Sequence, residues 1–199
     1  MTKYRDIEVV ALACQGTLLD ARPAIEAVAY ELARRNGESP LDRGASLRRR
    51  IAELAGGGLA LAFERLACER GWTGEESGEE SLARVGFLTR PYPDAVAAVA
   101  VASGLGRRLL AVSTLDRGLL EIALRPFDGA FEGVIAPAEV PVGPRVLYVS
   151  ASPARLHAAR GQGVRTAWVQ RDAAASAGAW RSLAELPEAL GELAPTAAA

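Results

Sequence analysis

The sequence predicts an α/β protein: a parallel sheet with helices on its faces, interrupted early by an all-helical segment. Three observations carry this. Short, almost wholly apolar runs recur along the chain, as strands buried on both faces of a parallel sheet require. After Pro93 these runs alternate with helical stretches, the pattern of a sheet built by crossover connections. Between residues 21 and 88 only helical periodicity is found.

Taken in order, Ile7 to Ala13 is a short apolar strand, and Gly16-Thr17 breaks it. From Arg22 to Arg35 apolar residues recur at Ile25, Val28, Ala29 and Leu32, offsets that suit a helix. Pro23 sits where a missing N–H does little harm, and Asn36-Gly37 is a stop signal. Ser46 to Leu54 and Leu59 to Arg70 read as two more helices. The acidic run Glu75 to Glu80 reads as a solvated loop leading into a helix that ends near Leu88. Then follow a helix (Asp94 to Ser103), a strand (Arg108 to Ser113), a helix (Leu115 to Leu124) and two strands (Phe131 to Ala136, Val146 to Ser150). A short helix (Pro153 to Arg160), a strand (Thr166 to Gln170) and a helical segment from Trp180 to Leu193 complete the chain. The sheet is therefore discontinuous in sequence: residues 1–20 and 89–199 form a core, and residues 21–88 a helical insertion.

Composition narrows the function. Half of the 199 residues are hydrophobic, 24% are charged and the net charge is −1. Nothing in that balance draws the chain to nucleic acid or to a membrane. No apolar stretch reaches the ~20 residues that span a bilayer, and MTKYRDIEVVALA carries no secretion pattern. The two cysteines, Cys14 and Cys68, and the single histidine, His157, make no metal-ligand cluster. The expectation is a cytoplasmic protein with free thiols.

Four stretches, in order, carry a family resemblance. Ala11-Leu12-Ala13-Cys14-Gln15-Gly16-Thr17-Leu18-Leu19-Asp20 is an apolar strand running into a Gly-Thr-Leu turn. Leu109-Leu110-Ala111-Val112-Ser113-Thr114 is a strand ending in hydroxyls. Phe127-Asp128-Gly129, with Phe131 to Ile135 and Ala138-Glu139-Val140, is a third strand and its turn. Leu147 to Pro153, followed by Gly163 to Arg171, is the fourth. Together these resemble the haloacid dehalogenase (HAD) superfamily, most closely its 2-haloacid dehalogenase branch, with Pro91-Tyr92-Pro93-Asp94 before the second motif. The resemblance implies a Rossmann-like parallel sheet, the HAD core, and makes the insertion its α-helical cap.

It also implies chemistry that the residues do not supply. Enzymes of this family attack with an aspartate at the end of the first strand, and that position is Ala13. The acid/base aspartate of its phosphatases corresponds to Gln15, which exchanges no proton near neutral pH. The lysine that balances the nucleophile falls at Gly143-Pro144, with Arg145 a possible substitute. The dehalogenases' aspartate after the fourth strand corresponds to Arg155. Ser150, Ala151 and Ser152 offer no carboxylate, so neither a metal site nor a cofactor is expected.

What remains is partial. Thr17 and Ser113 match hydroxyls that contact an anion in the family, and turn chemistry at strand ends explains them equally well. Arg48, with Glu53, lies where dehalogenases keep an arginine near the leaving halide; a solvated basic helix face is the simpler reading. Cys14 is a nucleophile by type, but alternation turns it away from the Ala13 side and no histidine is nearby in sequence. Ala136 to Val146 leaves room only for a short connection: about nine residues at ~3.3 Å span ~30 Å, enough for the ~14 Å of three strand steps. That would leave part of one sheet face bare, to be covered by the C-terminal helix or by another chain, so a homodimer or protein partner is expected. Three readings stand: a non-catalytic HAD-like binding, regulatory or assembly module, with a small anion as candidate ligand; an enzyme using the pocket for other chemistry; and a weakly active dehalogenase-like hydrolase relying on Asp20 or Asp116.

Overall fold

The computed structural model describes residues 4–38, 44–54, 58–72, 78–114, 117–171 and 178–191. The strands are β1 (Val9–Ala13), β2 (Leu19–Asp20), β3 (Arg90–Pro91), β4 (Arg108–Val112), β5 (Gly133–Ile135), β6 (Val146–Ser150) and β7 (Arg165–Trp168). The helices are α1 (Arg22–Arg35), α2 (Gly44–Leu54), α3 (Leu59–Arg70), α4 (Gly78–Leu88), α5 (Pro93–Gly104), α6 (Arg117–Leu124), α7 (Pro153–Gly161) and α8 (Glu185–Leu190). Two compact units result: Asp20–Arg90, and Met1–Leu19 with Pro91–Ala199. The chain passes between them at β2 and β3, which pair as a two-stranded ribbon.

The helical unit packs α1 to α4 around Val28, Leu32, Leu47, Ile51, Phe63 and Leu66. Proline opens α1, and the Asn36 side chain closes it by donating to the Leu32 carbonyl at 2.9 Å. α3 ends at Gly71, whose φ of 63° is the left-handed cap that glycine adopts without strain. Gly78 lies so close to α3 that a Cβ there would sit 2.3 Å from the Ala60 carbonyl oxygen. Glu79 and Glu80 belong to the first turn of α4, where carboxylates suit the positive end of a helix; they are not loop, as the acidic run had suggested. Gly74 to Ser77 lie outside the described residues.

The larger unit is built on a five-stranded parallel sheet in the order β5-β4-β1-β6-β7. Alternation along each strand divides the apolar residues between two faces. Val10, Leu12, Leu109, Ala111, Leu147 and Val149 meet α5, α6 and α8 on one face. Val9, Ala11, Ala13, Leu110, Val112 and Tyr148 meet α7 on the other.

Between β5 and β6 there is no helix, only a three-residue 3-10 turn at Pro137–Glu139, pinned by the Ala136 N–H donating to the Glu139 carboxylate at 2.7 Å. The face beside it is nevertheless not bare. Val9, Ala11, Val112 and Leu110 are all buried, because the connection turns Val140 inward against them and α7 supplies Leu156 and Ala159. The C-terminal helix α8 packs on the opposite face, against α5. The premise that a bare face here calls for a second chain is therefore corrected.

A second correction concerns Trp180, expected to open the last helix. It pairs instead with the outer edge of β7: its N–H donates to the Trp168 carbonyl at 2.7 Å, and its carbonyl accepts from Gln170 N–H at 2.8 Å. α8 begins only at Glu185. Nearer the start of β7, the Tyr4 hydroxyl donates to the Thr166 carbonyl at 3.2 Å, and the Tyr4 ring meets Trp180 edge-on.

A polar web ties the loops of this unit together. Arg171, just after β7, donates to both oxygens of Asp94 at 2.8 and 2.7 Å and to the Thr17 carbonyl at 2.6 Å, while its guanidinium lies 4.0 Å from the Tyr92 ring centre. Asp94 also accepts from the Ser182 hydroxyl and the Leu183 N–H. Burial alone would push the Asp94 carboxyl up, but these donors outweigh it and hold it below its ordinary value. The stability this contributes is complete above about pH 4 and is lost as pH falls through the depressed value. Asp94→Asn is expected to lower unfolding free energy by about 2 kcal/mol near neutral pH. Urea titrations of both proteins from pH 7 to pH 3 should show that gap narrowing only below about pH 4. A gap that is constant with pH would rule out the charge as its source.

Tyr148 makes the opposite case. Its hydroxyl is buried among apolar residues and meets no hydrogen-bond partner among the described residues. Leaving a buried polar group unpaired costs about 1–3 kcal/mol. Tyr148→Phe is therefore expected to leave the urea midpoint unchanged or to raise it; a clear fall would mean that the hydroxyl is satisfied in solution.

Candidate functional site

Parallel sheets present ligand sites at the carboxyl ends of their strands, where chain turns and helix starts converge. Here that end is formed by Ala13 to Leu18 after β1, Ser113 and Thr114 after β4, and Ser150 to Arg155 after β6. Ala13 is the last residue of β1, in register with Val112, and its methyl group is wholly buried in the cluster that contains Val112 and Tyr148. Gln15 is half-buried in the turn that follows. Gly16 takes a φ of 73°, which lets the turn double back, and its N–H donates to the Leu19 carbonyl at 2.9 Å.

Three of the hydroxyls at this end, Thr17, Ser113 and Ser150, are buried, while Ser152 is half-buried and Thr114 exposed. The Thr17 oxygen accepts from Ala151 N–H at 2.8 Å, fastening the β1 turn to the β6 turn. Ser150 accepts from Ser152 N–H at 3.1 Å, and Ser152 caps α7 by accepting from Arg155 N–H at 3.5 Å. Ser113 is 5% exposed, and its N–H donates to the Ile135 carbonyl. Thr17, Ser113 and Ser150 thus come together at one end of the sheet unit.

Arg48 belongs to the helical unit. It faces Glu26 at 3.8 Å, while Glu53, expected beside it, pairs with Arg50 at 2.8 Å. Arg145 pairs with Glu8, which precedes β1, so it stands at the opposite end of that strand from Ala13 and cannot serve as the balancing cation. Asp20 is held by Arg22 at 2.9 and 3.2 Å. Asp116 lies outside the described residues.

Segments 13–18, 113–114 and 150–155 hold no carboxylate. Their alcohol and amide oxygens do not fit a hard divalent cation, which takes anionic oxygen ligands. Among the described residues no group of three or more His, Cys, Asp or Glu could hold a metal. No helix among them is long and apolar enough to cross a membrane. An open groove of about 640 Å³ lies at the other end of the sheet, lined by Tyr4, Asp6, Arg160, Val164, Arg165 and Thr166. Both its arginines are engaged, Arg165 with Asp6 at 2.5 and 2.7 Å and Arg160 with the Thr166 hydroxyl at 2.6 Å.

Reading the residues alone missed the web of Arg171 and Asp94. The sequence marks Asp94 as a helix start and as the end of the Pro91-Tyr92-Pro93-Asp94 stretch, and no local pattern reveals a bond between residues so far apart in sequence.

The chain is similar in structure to the L-2-haloacid dehalogenase of Xanthobacter autotrophicus, with a TM-score of 0.71 at 18% identity, covering 92% of this chain and 97% of that one. A defluorinating L-2-haloacid dehalogenase matches with a TM-score of 0.73 at 19% identity, over 92% and 95% of the two chains. A HAD phosphatase from Thermococcus onnurineus matches with a TM-score of 0.64 at 18% identity, over 93% and 98%. No family model and no curated protein matches the sequence.

Cys14 packs on the face opposite Ala13. Burial pushes its thiol up to about 12, against the opposing pull of the Arg155 charge. A thiol so placed is a poor nucleophile. Alkylation of the folded protein is expected to modify the exposed Cys68 quickly and Cys14 only on unfolding, as read by peptide mass spectrometry. Equal rates at the two would show that Cys14 is activated after all.

Proposed function

From the premise that this chain has the haloacid dehalogenase fold, we propose that it is a HAD-like protein without the nucleophilic hydrolysis of its structural neighbours, acting as a binding or regulatory module. One observation carries the reading: the strand-end position from which a carboxylate would attack holds the buried methyl group of Ala13. A methyl group forms no covalent ester and accepts no proton. The surroundings agree with it. Gln15 cannot act as acid or base near neutral pH. Arg145 is drawn away by Glu8, and Arg155 brings positive charge to a turn where the dehalogenases carry an aspartate. These residues are consistent with one another, since a site without a nucleophilic carboxylate needs no lysine to balance one. A fold of this kind supports many functions, so the reading is taken from the site and not from the sheet.

The purified protein is expected to release no halide from L-2-haloacids and no phosphate from p-nitrophenyl phosphate above a heat-killed control. Turnover that a single substitution in this chain abolishes would overturn the reading. Ala13→Asp alone is expected to stay inactive, because the new carboxylate would lack a lysine beside it and would enter an apolar cluster. Activity in that variant would show that the rest of the machinery is present.

A further inference from the structure

We propose that the outward face of α5 receives a second copy of this chain, the two α5 helices lying antiparallel across a two-fold axis. The starting point is the helix itself. α5 packs Ala95, Ala98, Val99 and Ala102 against the sheet. Its opposite arc is Pro93, Ala97, Ala100, Val101 and Gly104, all exposed. A helix at a surface turns charged or polar side chains to water, and one that is apolar all round belongs in an interior. α7 and α8 follow the first rule, with Arg160 and Glu188 exposed. α5 does not: its one charge, Asp94, is turned to Arg171. Ile122 of the neighbouring α6 is exposed as well. This face is distinct from the one beside the short β5–β6 connection, which Val140 and α7 cover.

Charge and area both favour a second copy as the occupant. An uncharged centre faces its own image without bringing like charges together, as a self-complementary contact requires. The flanks set the orientation. α6 joins β4 to β5 at one edge of the sheet and α8 follows β7 at the other, so α5 lies between them. α8 runs in the same direction as α5. Their starts are joined by Asp94, which accepts from Ser182 and Leu183. Their ends meet at Arg5, which packs against Gly191 and accepts at its carbonyl from Arg107. Exposed Arg181 stands ahead of α8 and exposed Glu188 near its far end. An antiparallel pair sets α8 beside its own image running the opposite way, so Arg181 faces Glu188 of the partner subunit, and the pairing occurs twice. A parallel pair would set α8 against α6 and lose both. The 12 residues of α5 at ~1.5 Å rise, with three helices at ~9 Å spacing, cover about 500 Å² on each copy and about 1,000 Å² in the pair, the lower bound of a specific interface. The pair therefore belongs to the micromolar range and not to the nanomolar.

Sedimentation equilibrium of the full chain from about 5 to about 500 µM tests this, a range that brackets a micromolar dissociation constant. The mass is expected to rise from monomer to dimer across it and to go no further, since a two-fold contact closes on itself. Val101→Glu puts an unpaired charge in the centre of the face and is expected to weaken the pair about tenfold or more. Ala100→Lys should do the same, and serves in its place if Val101→Glu fails to fold, as read by circular dichroism. Phe87→Glu, on a side chain 61% exposed in α4, should leave the pair unchanged. Arg181→Glu sets two carboxylates opposite each other and should weaken association, and combining it with Glu188→Arg should restore it. A monomer throughout the range overturns the proposal, whatever else the face binds. So does a dimer that ignores Val101→Glu and Ala100→Lys, or one in which the double charge reversal fails to recover what the single one lost.

Discussion

The geometry of the sheet's carboxyl end depends on the pairing of Arg171 with Asp94. One terminal nitrogen of the planar cation reaches both oxygens of the carboxylate and the other a main-chain carbonyl, while the guanidinium stacks on Tyr92. A lysine could supply the charge but not two nitrogens fixed in one plane. The consequences run outward from it. Thr17 is held by its carbonyl, its hydroxyl then receives Ala151, and the turn that carries Ala151 leads straight into the cap of α7. On the other side, Asp94 takes Ser182 and Leu183 and so sets the approach to α8. Residues far apart in sequence are placed by one ion pair that is largely withdrawn from water.

Much of the fold could be read from the residues because its signals are local. Val146 to Ser150 is apolar at four consecutive positions, and only a strand covered on both faces asks for that. Pro93 and Pro153 each open a helix, and both do so in the structure. The short reach from β5 to β6 was likewise a matter of counting. What could not be read were contacts that depend on the third dimension. Val140 turned inward to bury sheet that the missing helix had seemed to expose, and nothing in its neighbours indicates which way it faces. Trp180 sat in a helical-looking stretch, yet the open edge of β7 offered its backbone better partners. At the site, the character of Ala13 and Gln15 was plain from their position after an apolar strand. The bond between Arg171 and Asp94 was not, because two residues so far apart in sequence meet only once the elements between them are folded.

The carboxyl end of the sheet is held by packing and by main-chain contacts. Ala13 contributes to packing, and the strand needs nothing more from it than a small apolar side chain. Thr17, Ser150 and Ser152 each accept a backbone N–H, which makes them part of the scaffold. Such tasks ask little of a side chain beyond its size or one oxygen, so the same sheet persists while the groups at its end change in kind, which is how one architecture comes to serve unrelated purposes.

The covering of β7 bears on how the protein behaves in a crowded solution. An outermost strand offers unpaired N–H and carbonyl groups to any extended chain that drifts by, and this is the usual route to intermolecular sheet growth. Here Trp180 occupies that row near one end and the Tyr4 hydroxyl caps it near the other, while the opposite margin, β5, is only three residues long. The segment around Trp180 thus acts as a guard rail for solubility as much as a structural element. A chain shortened ahead of it would keep most of its buried core and yet become sticky, with the fault appearing first as concentration-dependent precipitation.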